Sequence, residues 1–378
     1  MKTLRWVAIT AALALVVVAC GDGGSVDTTE GSTETTATET TMTETTMTET
    51  TMTETTMTET TVAGSDVGSE SNPIQVLFVP SVAAEEIVAG GELLAETLNA
   101  ATGLTFEVDV PASYAATVEE MCANPSATIG FIPAQAYVLA NELCGVDIQL
   151  KAERFGYTEY WAQYLVPRDS DAASLEDLAG LSWAYPDPGS TSGYLVPAGQ
   201  LQNMGIEWGE TVETGSHDGA VRAVYNGEAE FGTSFYSPYT NLDGEGQWDG
   251  DPLNADIPED IVDSCALNAD GEIQCGDFIV QDARRNLREE LPDVVQQVRI
   301  LAVSDPIPND GVTFGPEFPE DLKTQIVDAM VAFATDDPEG FATAFDAYSW
   351  DNLAESTDSD FDAIRSIVQA LDITLDDL

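Results

Sequence analysis

Asp187-Pro188-Gly189-Ser190-Thr191-Ser192-Gly193-Tyr194 joins an apolar run, residues 181–185, to a stretch of helical character that ends near Met204. A strand, a turn of small residues and a helix form the repeating unit of an α/β sheet. The start of such a helix carries free N–H groups and partial positive charge. The hydroxyls of Ser190, Thr191 and Ser192 can donate to the same oxyanion, and Gly189 and Gly193 let backbone approach closely. N-capping alone explains one hydroxyl, not three in succession. Capping and anion binding are both open readings of these residues.

The same alternation extends outward along the chain. Apolar strands are expected at 74–79, 104–110, 127–132, 160–166, 181–185, 229–235 and 298–303. Helical spacing falls at 84–101, 114–121, 217–226, 320–334 and 360–371, with a further helix running through Ala140 and a helix signal at 174–178. The long strand at 160–166 reads as a crossing into a second lobe. Residues 73–165 with 303–378 are expected as lobe one, and 166–302 as lobe two. Residues 240–282 are acidic and rich in Gly and Asp, and read as an excursion pinned by a disulfide rather than as core.

Two other strand-to-helix turns present donors. Gly215-Ser216-His217-Asp218-Gly219 precedes a helix, where His217 could donate to an anion and itself gain charge as the ligand binds. Tyr114 opens the helix at 114–121, and its phenol could reach a ligand oxygen. Core packing is the ordinary role for each.

The N-terminal region has a different character. Lys2 and Arg5 precede an apolar run at 6–19, too short for a comfortable membrane span, so residues 1–20 read as an export signal. Its end, Val17-Val18-Ala19-Cys20, resembles a lipobox, which would place acyl chains on Cys20 and hold the protein at a membrane. Residues 21–72 repeat Thr-Met-Thr-Glu-Thr, with Met42, Met47, Met52 and Met57 in register; this period suits neither helix nor strand, and a disordered tether is expected. Setting Cys20 apart from the five cysteines leaves two local pairs, Cys122 with Cys144 and Cys265 with Cys275. In an exported chain these suggest structural disulfides, although spacing alone does not dictate the pairing. Metal binding is the rival, but neither pair has zinc spacing and the single histidine is distant in sequence.

With 67 acidic against 12 basic residues, nucleic acid and anionic lipid are poor partners. An anion site in such a chain is expected to be local and built largely from neutral donors.

A resemblance then becomes specific. The string from Asp187 through Tyr194 into Leu195-Val196-Pro197 is similar to the signature of phosphate, phosphite and phosphonate transporter binding proteins. So are Gly215-Ser216-His217-Asp218 with 221–227, Pro306-Ile307-Pro308-Asn309-Asp310, Ser113-Tyr114-Ala115-Ala116-Thr117-Val118-Glu119-Glu120-Met121 and Asp360-Phe361-Asp362-Ala363-Ile364-Arg365. These matches occur in order from about Ile74 to Arg365. The resemblance implies a two-lobed periplasmic-binding-protein fold of type II, with paired crossing strands, that closes on its ligand. It implies that Tyr114, Ser190, Thr191, Ser192 and His217 hold phosphorus oxygens, with Ser81 added to the expected ligand-binding set. Asp310 matches a position that helps hold the amine in aminophosphonate binders. Two departures weaken an aminoalkyl ligand: Ser237 stands roughly where such binders carry a second carboxylate, and Ile132 falls near an aromatic position. Tyr157, Tyr160, Trp161 and Tyr236 could line a tighter pocket instead.

The implied role is the extracytoplasmic, lipid-anchored binding component of an uptake transporter, working with a permease, with no cofactor and no metal, and acting as a monomer. A ligand-sensing lipoprotein and a sulfonate binder are the alternatives. Hydrolase chemistry would need Ser190 or Ser192 with His217 and Asp218, yet the chain has no Gly-x-Ser-x-Gly elbow.

Overall fold

A computed structural model describes residues 66–242 and 248–377. The expected signal, Cys20 and the repeat lie outside these residues. The first lobe begins β1 (Ile74–Phe78), α1 (Ala84–Thr102), β2 (Phe106–Asp109), α2 (Tyr114–Ala123), β3 (Thr128–Ile132), α3 (Ala134–Cys144) and β4 (Asp147–Glu153). The chain then crosses along β5 (Glu159–Pro167) to β6 (Trp183–Tyr185), α4 (Val196–Asn203), β7 (Thr211–Glu213), α5 (His217–Tyr225) and β8 (Phe231–Tyr236). After β9 (Thr240–Asn241), β10 (Ala266–Leu267), β11 (Ile273–Cys275) and β12 (Phe278–Ile279), it returns through α6 (Val294–Gln297), β13 (Val298–Val303) and β14 (Ile307–Pro308). It ends with β15 (Gly311–Phe314), α7 (Glu320–Asp336), α8 (Pro338–Ala344), β16 (Asn352–Glu355) and α9 (Asp362–Ala370).

The first sheet has the order β16-β4-β15-β3-β1-β2, and the second runs β13-β5-β8-β6-β7, with β14 also paired to β5. β1 shows why the first sheet is buried on both faces. Alternate side chains point to opposite sides of a strand. Accordingly Ile74, Val76 and Phe78 join one core with the buried face of α1, while Leu77 joins the core that holds α2 and α3. In α1 the buried residues are Ile87, Gly91, Leu94 and Leu98, one stripe of a helix, and the helix stops at Gly103 with φ 73°.

The expected crossing pair is present. The start of β5 pairs antiparallel with β14, Tyr160 opposite Ile307, and the rest pairs with β13, from Gln163 opposite Val303 to Pro167 opposite Val298. Two adjacent antiparallel segments therefore join the sheets.

Two expectations need correction. Residues 66–72, expected to close the disordered tether, are folded: Val67 is buried in the first core, and Gly68 exchanges backbone bonds with Asn72 and Thr105. One apolar residue and a turn suffice to dock them. The 240–282 region is also more than a surface excursion. β9 to β12 form a small sheet, and Val262, Ile273 and Val280 are buried with Val294 and Val298 of the second lobe.

Both expected cysteine pairs are disulfides, Cys122–Cys144 between α2 and α3, and Cys265–Cys275 across the small sheet. The second bridge spans only 10 positions. Cross-linking stabilises mainly by restricting the unfolded chain, and a loop of about 15 residues gives ~3 kcal/mol. Replacing Cys265 and Cys275 by serine is therefore expected to lower unfolding free energy by roughly 2.5–3 kcal/mol. Urea denaturation reads this directly, and an unchanged midpoint would refute it.

Candidate functional site

The turn after β6 is built by its own side chains. Asp187 Oδ1 accepts from Gly189 N–H at 2.7 Å, and Ser190 Oγ accepts from Gly193 N–H at 3.0 Å. The carbonyl of Ser190 accepts from both Tyr194 and Leu195, so the helix opens with a wide π-type turn, Thr191–Leu195, before α4. A methyl group on Gly193 would lie 2.2 Å from Pro186 Cγ, which is why glycine stands there.

A second helix start meets the first. Ser216 Oγ caps α5 through Gly219 N–H at 3.2 Å, leaving His217 as the first helical residue. The ring lies with Nε2 3.2 Å from Ser190 Oγ and Nδ1 3.0 Å from Ser234 Oγ. Burial, and then the charge of Arg154, push its pKa down to about 3. The imidazole is neutral near pH 7 and carries one N–H. That N–H is on Nε2 or on Nδ1 according to the tautomer, facing Ser190 in the first case and Ser234 in the second.

The first lobe supplies the opposite wall. Ser81, Tyr114 and Asp310 line the same cavity as Ser190, Ser192 and His217. Backbone bonds tie the walls together: His217 N–H donates to Ser81 O at 3.1 Å. Gln135 Nε2 donates to Pro188 O at 3.2 Å. The lobes are thus closed on each other, around a space of about 40 Å³. A single water needs roughly 10–15 Å³ on this scale, so the cavity suits a small ion. Burial, reinforced by nearby acidic groups, holds the Tyr114 phenol well above its usual range, keeping it a protonated donor.

Thr191 departs from the expected set. It does not line the cavity; its hydroxyl accepts from Gln135 N–H at 2.8 Å, so it fastens the lobes instead. Of the four aromatic candidates, Tyr160 alone lines the cavity. Trp161 packs edge-on against Tyr157 and Tyr236, and Tyr236 donates to Ala255 O at 3.1 Å, so these three are packing residues. Ser237 does face the cavity, whereas Ile132 is buried in the core.

The main addition is Arg154, which lines the cavity just beyond β4. Its Nη2 lies 2.5 Å from Asp310 Oδ2, and its Cζ lies 5.2 Å from the Tyr160 ring centroid. The donors lining the cavity are largely neutral, as expected, with one cation added. No local motif marks it. Arg154 meets Asp310 because β4 pairs with β15, Lys151 opposite Gly311, which brings together residues 156 positions apart.

A model of the family described as "ABC transporter, phosphonate, periplasmic substrate-binding protein" matches residues 76–361. The phosphate-import protein PhnD of Mycolicibacterium smegmatis is 28% identical over 177 residues, covering 43% of this chain and 54% of that protein. The chain thus matches about half the length of that relative. A binding protein component of a phosphonate ABC transporter from Pseudomonas aeruginosa has a similar fold, with TM-score 0.58 and 18% identity over 78% of this chain and 85% of that one. PhnD1 of Prochlorococcus marinus, solved with methylphosphonate, gives TM-score 0.59 and 13% identity over 79% of this chain and 98% of that one.

Proposed function

Since the chain belongs to the family of periplasmic substrate-binding proteins of phosphonate ABC transporters, we propose that it captures a small phosphorus oxyanion between its lobes and delivers it to a transporter permease. One observation carries this reading. Side chains from two helix starts, Ser190 Oγ and His217 Nε2, meet at 3.2 Å beside a cavity whose far wall is Tyr114 and Ser81. Helix-start amides and protonated hydroxyls are donors without formal charge, so they favour an oxyanion even inside a strongly acidic protein.

In this reading Ser190, Ser192 and the neighbouring amides hold oxygens from the second lobe. His217 donates from the same side, and Tyr114 with Ser81 closes from the other. Thr191 and Gln135 act as the fastening between the lobes. The proposed lobes are 73–165 with 303–378 and 166–302, hinged on β5 and the returning strands, and ligand favours closure because its donors are assembled only when the lobes meet. The tether and a lipid anchor at Cys20 belong to the same proposal. Their support is the apolar run at 6–19 and the Val17-Val18-Ala19-Cys20 string. Among the described residues no helix is long and apolar enough to cross a membrane.

A thermal-shift panel of phosphite, phosphate, methylphosphonate, 2-aminoethylphosphonate and sulfate tests the ligand class, because a ligand bound only by the native state raises its stability. A phosphorus oxyanion is expected to raise the melting temperature and sulfate to do much less. Ser192→Ala is expected to weaken the preferred ligand by about 1.5–3 kcal/mol in calorimetry, the loss of one charge-assisted bond. No shift with any phosphorus oxyanion, or an equal shift with sulfate, would overturn the proposal.

A further inference from the structure

Arg154 is almost fully buried, with 7% of its surface exposed, in a chain with few basic residues. Burying a guanidinium is costly unless each of its donors finds an acceptor. Three features hold the group rigidly. Nη2 meets Asp310, Nη1 lies 3.4 Å from Asn309 Oδ1, and the plane sits over Tyr160. Asn309 is itself fixed, donating to Ala152 O at 3.0 Å and Tyr157 O at 2.9 Å. Nε is buried and makes no hydrogen bond, while the side chain as a whole lines the cavity. A guanidinium held rigidly on the wall of a small cavity lends its positive charge to an anion bound there.

We infer that Arg154 is the cation that faces the bound oxyanion, and that by occupying Asp310 it confines the site to small phosphorus oxyanions without a cationic arm. The inference rests on the binding function proposed above and specifies its ligand class. A carboxylate lining a ligand cavity would otherwise attract an ammonium group. Here Arg154 already neutralises that carboxylate. A ligand amine would have to displace a guanidinium held by Asn309 and Tyr160, and there is little spare volume in which to place it. Asp310 is then a positioning residue: it aims Arg154 rather than touching the ligand.

Calorimetry with phosphate, methylphosphonate and 2-aminoethylphosphonate tests this on the wild-type protein, Arg154→Ala, and the charge-balanced pair Arg154→Met with Asp310→Asn. The wild type is expected to bind phosphate or methylphosphonate about a hundredfold more tightly than 2-aminoethylphosphonate. Arg154→Ala should lose about tenfold or more for the unsubstituted anions and gain for 2-aminoethylphosphonate, whose ammonium replaces the lost partner of Asp310. The charge-balanced pair, which leaves no buried charge uncompensated, should show the same loss without the gain. It keeps the test decisive if Arg154→Ala does not fold. Unchanged methylphosphonate and phosphate affinity in a folded variant, or wild-type preference for 2-aminoethylphosphonate, would overturn the inference while leaving oxyanion capture intact. A folded wild type that binds none of the three removes both readings.

Discussion

Taking the protein with its lobes closed from pH 6.5 towards pH 3 is expected to remove on the order of 4–5 kcal/mol of stability through His217 alone. The unfolded imidazole takes up a proton near its ordinary value of 6.5, whereas burial beside Arg154 holds the native ring neutral down to about 3. Between those values the unfolded state binds more protons, so acidification favours unfolding; above 6.5 neither state is protonated and the contribution is flat. The slope is about 1.4 kcal/mol per pH unit. Carboxylates also titrate at the acid end, so the cleanest window lies just below the unfolded histidine value. His217→Gln keeps a donor and an acceptor facing Ser190 and Ser234 but does not titrate. Denaturation of both proteins across this window should show the wild type losing stability more steeply by that slope. Parallel curves would mean that His217 is not held neutral in the fold.

Gly189→Ala is expected to weaken ligand binding by about a hundredfold or more, near 3 kcal/mol, at the upper end of typical overpacking costs. A Cβ at this position would lie 2.5 Å from Cβ of Tyr114 and 3.1 Å from its Cγ, neither of which is the movable end of a side chain. Gly189 belongs to the second lobe and Tyr114 to the first, so the clash arises only when the lobes meet. The variant should therefore keep its ligand-free stability but fail to compact in solution scattering when ligand is added. Wild-type affinity together with ligand-induced compaction would show that closure does not bring these two residues together.

Much of this architecture was legible along the chain. β1, β3 and β5 are short apolar runs bounded by turn residues, and α1 carries one buried stripe ending at Gly103. Local rules are sufficient for such elements, because periodicity and turn chemistry act over a few residues. β4 was also visible, with Ile148, Leu150 and Ala152 buried in strict alternation, but it was not among the strands expected. The helix-start donors Ser190, Ser192, His217 and Tyr114 were readable for the same reason: each sits at a strand-to-helix turn whose residue types are informative in isolation. The disulfide pairs were legible as neighbours in sequence.

Other features depended on long-range pairing. Thr191 is chemically equivalent to its neighbours in the sequence, and only the approach of Gln135 from the first lobe gives its hydroxyl a partner across the lobes. Tyr160 and Trp161 are adjacent aromatics, and strand alternation sends one to the cavity and the other to the core of the second lobe. No local motif marks Arg154, and only the pairing of β4 with β15 brings it to Asp310. What the chain alone determined was the longer helices, the strands β1, β2, β3, β5, β6, β8 and β13, and the polar residues at helix starts, since these follow from interactions between near neighbours. The charge inside the cavity, the fastening between the lobes and the small volume they enclose were decided by the tertiary structure, because each depends on sheet register and lobe contact between residues far apart in the chain.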